Sequence, residues 1–254
     1  MKVLLVLVDG MRPDSLVDIP QVEDMKKKAA YTLQAETVFP SVTLPCHVSL
    51  FHSVPPQRHG TLTNIYATQV RPVKSMLDLL AEQGKDCAMF YSWAQLRDVG
   101  LPGSLVRSSY WGGWKFGYEE ATNRLVKEAI PCLKEEKPDF TFLYLGKPDD
   151  AGHKYGWMSE EYLQAVRDSW KHIENVLASL DEDYTVFITA DHGGHDRIHG
   201  MDMPEDMTIP FFAMGKDFAP GKVLKDVSIL DYAPTIAKLL GVGPNEEWEG
   251  KCLF

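Results

Sequence analysis

Residues 3–10 read VLLVLVDG: six aliphatic side chains from Val3 to Val8 run unbroken into Asp9-Gly10. A β-branched and leucine run without polar alternation is the pattern of a strand covered on both faces, as in a parallel sheet. Similar runs recur at Asp86–Tyr91, Phe140–Leu145, Thr185–Thr189 and Ile209–Met214. Helical patterns separate them, at Ser75–Gln83, Glu119–Glu135, Ser159–Leu180 and Asp231–Leu240. In the longest, Tyr162, Val166, Trp170, Ile173 and Leu177 recur every three or four residues and make one apolar stripe. Strands alternating with helices predict a single α/β domain over residues 1–254. Its expected form is a three-layer sandwich with a mostly parallel central sheet and right-handed crossovers. The least regular stretch, 65–117, is expected to form a small lid or an excursion over one sheet edge.

Composition narrows the function classes. The 254 residues carry a net charge of −10, and the lysine run at 26–28 is short enough to be a solvated helix face. No basic patch emerges that would offset phosphate repulsion, so no nucleic-acid partner is expected. No apolar stretch approaches a membrane span, and the run at 3–8 is too short for a signal-peptide core. The four cysteines, at 46, 87, 132 and 252, have no paired spacing and are expected to be reduced thiols in a cytoplasmic protein.

Open α/β sheets bind ligands at the carboxyl ends of their strands. Here those ends deliver acids and imidazoles. The first strand runs into Asp9, FLYLG is followed by KPDDAGH (147–153), and TVFIT is followed by ADHGGHDRIHG (190–200). Alone, Asp9 reads as a helix cap and the Asp149/His153 pair as a turn with a surface histidine. The sequence Asp191-His192-Gly193-Gly194 is rarer, since glycines there allow the loop to bend around something. Together, Asp9, Asp149, His153, Asp191, His192 and His199 supply enough oxygen and nitrogen ligands for two divalent ions, zinc first and manganese second. Residues 39–47, FPSVTLPCH, hold the hydroxyl of Thr43 between two prolines. Those prolines predict a stiff, irregular turn with neither a long helix nor a central strand through it. Coordination by a metal is one way to activate such a hydroxyl as a nucleophile.

Several motifs in order, LVLVDGMRPD, FPSVTLPCH with HGTLTN, PDDAGHKYG, TADHGGHDRIHG, and MTIPFFAMG with SILDYAPTIAKLLGV, resemble the alkaline phosphatase superfamily. The likeness is specifically to its branch of type I phosphodiesterases and nucleotide pyrophosphatases. The resemblance implies an alkaline-phosphatase-like fold and a two-metal hydrolase acting on a small phosphate ester or nucleotide. It implies that Thr43 is the nucleophile and forms a phosphoenzyme. Asp9, Asp191 and His192 resemble the ligands of the ion that also holds Thr43, and Asp149, His153 and His199 those of the second. His195 is the alternative to His199. Asn64 resembles the amide that steadies a non-bridging phosphoryl oxygen. Cys46 reads as a packed thiol, because no Cys-x-Pro-x-Arg pattern surrounds it, and His47 as a support of the loop. Arg12 and Lys147 are expected at the surface, with substrate contact the alternative, and at least two of Trp93, Trp111 and Trp114 in packing, with stacking on a nucleobase or other planar leaving group the alternative. The rival functions are a phosphomonoesterase or phosphonate hydrolase on the same core, and a metal-binding protein without turnover. A phosphosugar mutase is disfavoured by length.

Overall fold

The computed structural model describes residues 1–101 and 103–254. Pro102, within the 65–117 stretch, lies outside the described residues. The strands are β1 (Lys2–Val8), β2 (Ala30–Glu36), β3 (Cys87–Tyr91), β4 (Arg107–Tyr110), β5 (Phe140–Leu145), β6 (Tyr184–Thr189) and β7 (Thr208–Met214). The helices are α1 (Pro20–Lys28), α2 (Thr43–His52), α3 (Pro56–His59), α4 (Met76–Glu82), α5 (Gly113–Phe116), α6 (Tyr118–Pro131), α7 (Lys147–Tyr155), α8 (Glu160–Leu177), α9 (Pro204–Met207) and α10 (Tyr232–Leu239).

One seven-stranded sheet has the order β2-β7-β6-β1-β5-β3-β4. From β6 to β4 the strands run parallel, whereas β7 is antiparallel to both β6 and β2. The all-apolar reading of β1 holds: Val3 to Val8 are buried, as is every residue of β5 and β6. Helices α1, α6, α7 and α8 pack among themselves as one group, and α2, α4 and α10 as another. The sheet contributes to both groups, so the mixed α/β architecture is as expected.

Two strands were not legible. β2 alternates buried and exposed residues at one sheet edge, and β4 is a four-residue, mostly polar strand at the other. The stretch 65–117 supplies β3 and β4 to the sheet, with irregular connections around them. Register fixes the functional edge. Val8 pairs with Leu145 and Leu7 with Thr189, so Asp9, the start of α7 and Asp191 leave the sheet side by side.

FPSVTLPCH departs from its expectation. Thr43 opens a ten-residue helix, and all of α2 is buried. Pro45 falls in the first turn, where a missing N–H removes no helical hydrogen bond, so proline is tolerated there.

Candidate active site

Thr43, first residue of α2, is 4 % exposed, and its Oγ1 lies 3.1 Å from Nε2 of His192. Nδ1 of His192 is 2.7 Å from the Gly193 carbonyl. A carbonyl can only accept, so Nδ1 carries the proton and Nε2 is a bare lone pair that accepts from the Thr43 hydroxyl. Burial keeps this imidazole neutral by pushing its pKa down to about 3. The same Nε2 lies 3.3 Å from Asp9 Oδ1 and 3.3 Å from Asp191 Oδ2.

The second group has the same logic. Nδ1 of His153 donates to the Arg197 carbonyl at 3.0 Å, and Nδ1 of His199 to the Ser41 carbonyl at 2.8 Å. Their Nε2 atoms therefore turn lone pairs toward Asp149 Oδ1, at 3.5 and 3.7 Å. Burial pushes the pKa of His199 down to about 3.

Whether this cluster suits divalent ions can be tested on its unpartnered atoms. Asp9 Oδ1, Asp149 Oδ1 and Asp191 Oδ2 are buried without a hydrogen-bond partner. Imidazole lone pairs converge on the same oxygens, and among the described residues no lysine or arginine pairs with these carboxylates. Lone pairs facing lone pairs in a dry site repel unless a cation stands between them. The carboxyl groups respond by holding protons. Burial, then the charges of Asp191 and Asp149, raise Asp9 well above the carboxylate range. Burial raises Asp149 to about 7 and also raises Asp191. Asp149, His153 and His199 offer ligand atoms within 4.8 Å of one another, as do Asp9, Asp149 and His192. Asp149 thus belongs to both groups. The donor set is one that fits divalent cations.

The neighbours hold this geometry. Tyr144 donates its hydroxyl to Asp9 Oδ2, leaving Oδ1 for the cluster. The Gly10 N–H donates to Asp191 Oδ1 at 3.2 Å. His47 is buried, with Nδ1 donating to the Thr43 carbonyl at 2.7 Å and lying 3.5 Å from Asp191 Oδ2. Asn64 accepts the Leu44 N–H through Oδ1 at 2.9 Å, so its amide NH₂ is the free end. His195 instead pairs with the buried Asp206 at 2.7 Å. Cys46 is a buried thiol 3.2 Å from the Thr37 hydroxyl.

Other expectations need revision. Arg12 is mostly buried and ties Asp14 to the Gly194 carbonyl. Lys147 is only a quarter exposed and pairs with Glu119 and Asp168. The tryptophans meet their expectation: two of the three, Trp93 and Trp111, pack against the core, whereas Trp114 is 77 % exposed. Gly193 and Gly194 do not use positive φ; they are needed for space. A Cβ would lie 2.0 Å from the Glu205 carbonyl at Gly193 and 2.2 Å from the Trp157 ring at Gly194. Sequence reasoning passed over Tyr144 and Trp157, because a tyrosine inside a buried strand and a tryptophan after a helix look like ordinary core.

An α/β sheet that carries a threonine-headed buried helix against acids and imidazoles at its strand ends defines a protein of the alkaline phosphatase type. Comparison with known proteins narrows this. The sequence model described as Type I phosphodiesterase / nucleotide pyrophosphatase matches residues 3–205, and the chain belongs to that family. It is 27% identical over 217 residues to ectonucleotide pyrophosphatase/phosphodiesterase family member 7 of Homo sapiens, covering 76% of this chain and 47% of the relative. It is 33% identical over 143 residues to the 2,3-bisphosphoglycerate-independent phosphoglycerate mutase of Clostridium perfringens strain SM101, covering 53% of this chain and 27% of that enzyme. The chain spans about half or less of the length of these curated relatives. Among solved structures, murine ectonucleotide pyrophosphatase/phosphodiesterase 5, an inactive variant in complex with AMP, superposes with a TM-score of 0.80 at 16% identity, over 98% of both chains. The phosphonate monoester hydrolase of Silicibacter pomeroyi gives 0.76 at 14% identity, over 99% of this chain and 75% of its own. At such identities the likeness concerns the fold.

Proposed function

We propose that the chain is a two-metal-dependent hydrolase of phosphodiesters and nucleotide pyrophosphates that works through a phosphate ester of Thr43. The observation that carries this reading is the position of Thr43 Oγ1, 3.1 Å from a bare imidazole nitrogen inside a cluster of unpartnered carboxylate oxygens. Family membership supports the reaction class, and the AMP found with the murine relative supports a nucleotide as substrate. Asp9, Asp191 and His192, with Thr43, would hold one ion, zinc or manganese, and Asp149, His153 and His199 the other. When bound, the ions supply positive charge and Lewis acidity, acidifying the Thr43 hydroxyl and offsetting charge on the phosphoryl oxygens.

The chain's own residues position the reaction. Without an ion, His192 Nε2 accepts the Thr43 hydrogen bond and so aims Oγ1 into the cluster; that lone pair would pass to the ion on loading, and the positive end of the α2 dipole favours an anion at the same point. Oγ1 attacks phosphorus in line: the P–Oγ1 bond forms, the bond to the leaving oxygen breaks, and that oxygen takes a proton. Water then forms the new P–O bond, P–Oγ1 breaks, and Thr43 regains its proton. The Asn64 NH₂ donates to a non-bridging oxygen as charge builds there.

The test is hydrolysis of bis-p-nitrophenyl phosphate beside p-nitrophenyl phosphate, with metal-stripped protein given zinc or manganese. Faster metal-dependent cleavage of the diester is expected, with Thr43→Ala lowering turnover by about 10⁴-fold or more while both ions stay bound. Preference for the monoester would move the chain to the phosphatase reading. Full activity of the alanine variant would remove Thr43 from the mechanism. No turnover with two ions bound would favour a metal-binding protein without catalysis.

A further inference from the structure

Trp157 packs against two ligands of the second candidate set and against loops beside the first. It is 6 % exposed and follows the Gly156 that ends α7. Its ring centroid lies 5.0 Å from that of His153, edge to face, and 5.8 Å from that of His199. The same ring occupies the space in which two glycines have no side chain. A Cβ at Gly152 would come within 2.6 Å of it, and one at Gly194 within 2.2 Å. Gly152 precedes a ligand of the second set, and Gly194 closes the DHGG loop that carries ligands of the first. The indole N–H donates to the Gly10 carbonyl at 3.0 Å, and that carbonyl also accepts from the Tyr162 hydroxyl at 2.8 Å. The Trp157 backbone N–H donates to the Asp196 carbonyl at 2.7 Å, holding the DHGG loop against α7. Three strand-end loops thus meet on one indole.

We propose that Trp157 is the positioning residue of the second ion's set, the wall that keeps His153 and His199 turned toward Asp149. The inference rests on reading Asp149, His153 and His199 as metal ligands. An imidazole is held by its distal hydrogen bond and by whatever its ring packs against; the backbone carbonyls supply the first, Trp157 the second. Removing the ring frees rotation of both imidazoles, whereas Asp9, Asp191 and His192 keep their own supports in Tyr144, the Gly10 N–H and the Gly193 carbonyl, with Gly10 still held by the Tyr162 hydroxyl once the indole N–H is gone. The effect is therefore selective for one ion.

Metal-free protein titrated with Zn²⁺, followed by calorimetry and by tryptophan emission, tests this without an activity assay. The unsubstituted chain is expected to bind two equivalents, with emission changing on one of them. Trp157→Ala should weaken that equivalent by about 10- to 100-fold and the other by less than about threefold. Trp157→Phe keeps a ring wall, so both equivalents should survive within about threefold while the emission change disappears. Undiminished emission change in Trp157→Phe, or equal weakening of both ions in Trp157→Ala, would overturn the proposal. If Trp157→Ala does not fold, the emission of Trp157→Phe decides. Fewer than two equivalents in the unsubstituted chain would defeat the two-ion reading itself, and this inference with it.

Discussion

His195 and His199 are four residues apart in one loop, and each faces a carboxylate, but the carboxylates differ in kind. Asp206, partner of His195, also accepts the Met201 N–H at 2.8 Å, so its second oxygen is engaged and the pair ties the loop together. Asp149, facing His199, keeps a buried oxygen without a partner. The two histidines should therefore fail differently. His195→Ala leaves Asp206 Oδ1 buried and unpaired, at about 1–3 kcal/mol of stability, and should lower the melting temperature with metal affinity nearly intact. His199→Ala also leaves a buried acceptor, the Ser41 carbonyl, so its metal-free melting temperature falls too, and what sets it apart is a lowered affinity for one ion. Melting curves and metal titrations of both variants check this, and the reverse pattern would exchange their roles. At this scale the sequence revealed the ligand candidates, because acids and imidazoles gather at the ends of three strands, where each alone would read as a cap or a turn. It could not reveal the partners that orient them. Nothing in the spelling of Asp206, Tyr144 or Trp157 says which loop each will meet. For Asn64, the Leu44 N–H takes Oδ1 and leaves the amide free. Removing that donor in Asn64→Ala should lower turnover by about 10²–10³-fold in steady-state assays.

Helix α2 is the element on which the sequence reading was furthest off and the chemistry most depends. Prolines at 40 and 45 suggested a turn; in the fold they bracket the helix entry, and Pro45 occupies the turn where no intrahelical donor is lost. The helix is buried from end to end because it packs between the sheet and α10, with Phe51 edge-to-face on Phe142 at 5.2 Å. Burial also traps histidines in the neutral form. His52 is lowered to about 4, chiefly by desolvation, with the Val48 carbonyl and then Asp78 opposing, and His59, bonded to Ser49, is lowered to about 3. Below the ordinary histidine pKa of about 6.5 the unfolded chain takes up protons that the folded chain refuses, so stability falls as pH drops from about 6.5 toward 4. Each such group contributes a slope of up to about 1.4 kcal/mol per pH unit in that window. His52→Gln should flatten the acid limb of a urea-midpoint-against-pH curve; an unchanged slope would mean that His52 protonates in place.

Over the whole molecule, what was legible is what burial on both faces imposes. Parallel strands covered by helices must be continuously apolar, so β1, β5 and β6 could be read off, whereas edge strands β2 and β4 have one wet side and blend into loops. The same covering makes the strand-end cluster dry, and this couples metal to folding. Any ion that binds only the folded chain stabilises it by about 2.7 kcal/mol at a hundredfold excess over Kd. For a domain of this size that corresponds to a rise of about 5–10 °C in melting temperature. The gain must depend on pH. With Asp149 raised to about 7, the folded metal-free chain keeps, between pH about 4 and 7, a proton that the unfolded chain has released. Metal-free stability contributed by this group is thus greatest below that window and falls as pH rises through it. A divalent ion takes the deprotonated carboxylate, so binding strengthens over the same range as the proton leaves. The metal-induced rise in melting temperature should therefore grow between pH 5 and pH 8, and taking it as a difference cancels the contribution of His52 and His59, which take no part in the cluster and are common to both forms. Scanning calorimetry with and without zinc across that range measures it directly. A gain that is flat with pH would mean that Asp149 is already ionised without metal, and that the buried cluster is less repulsive than its unpartnered oxygens imply.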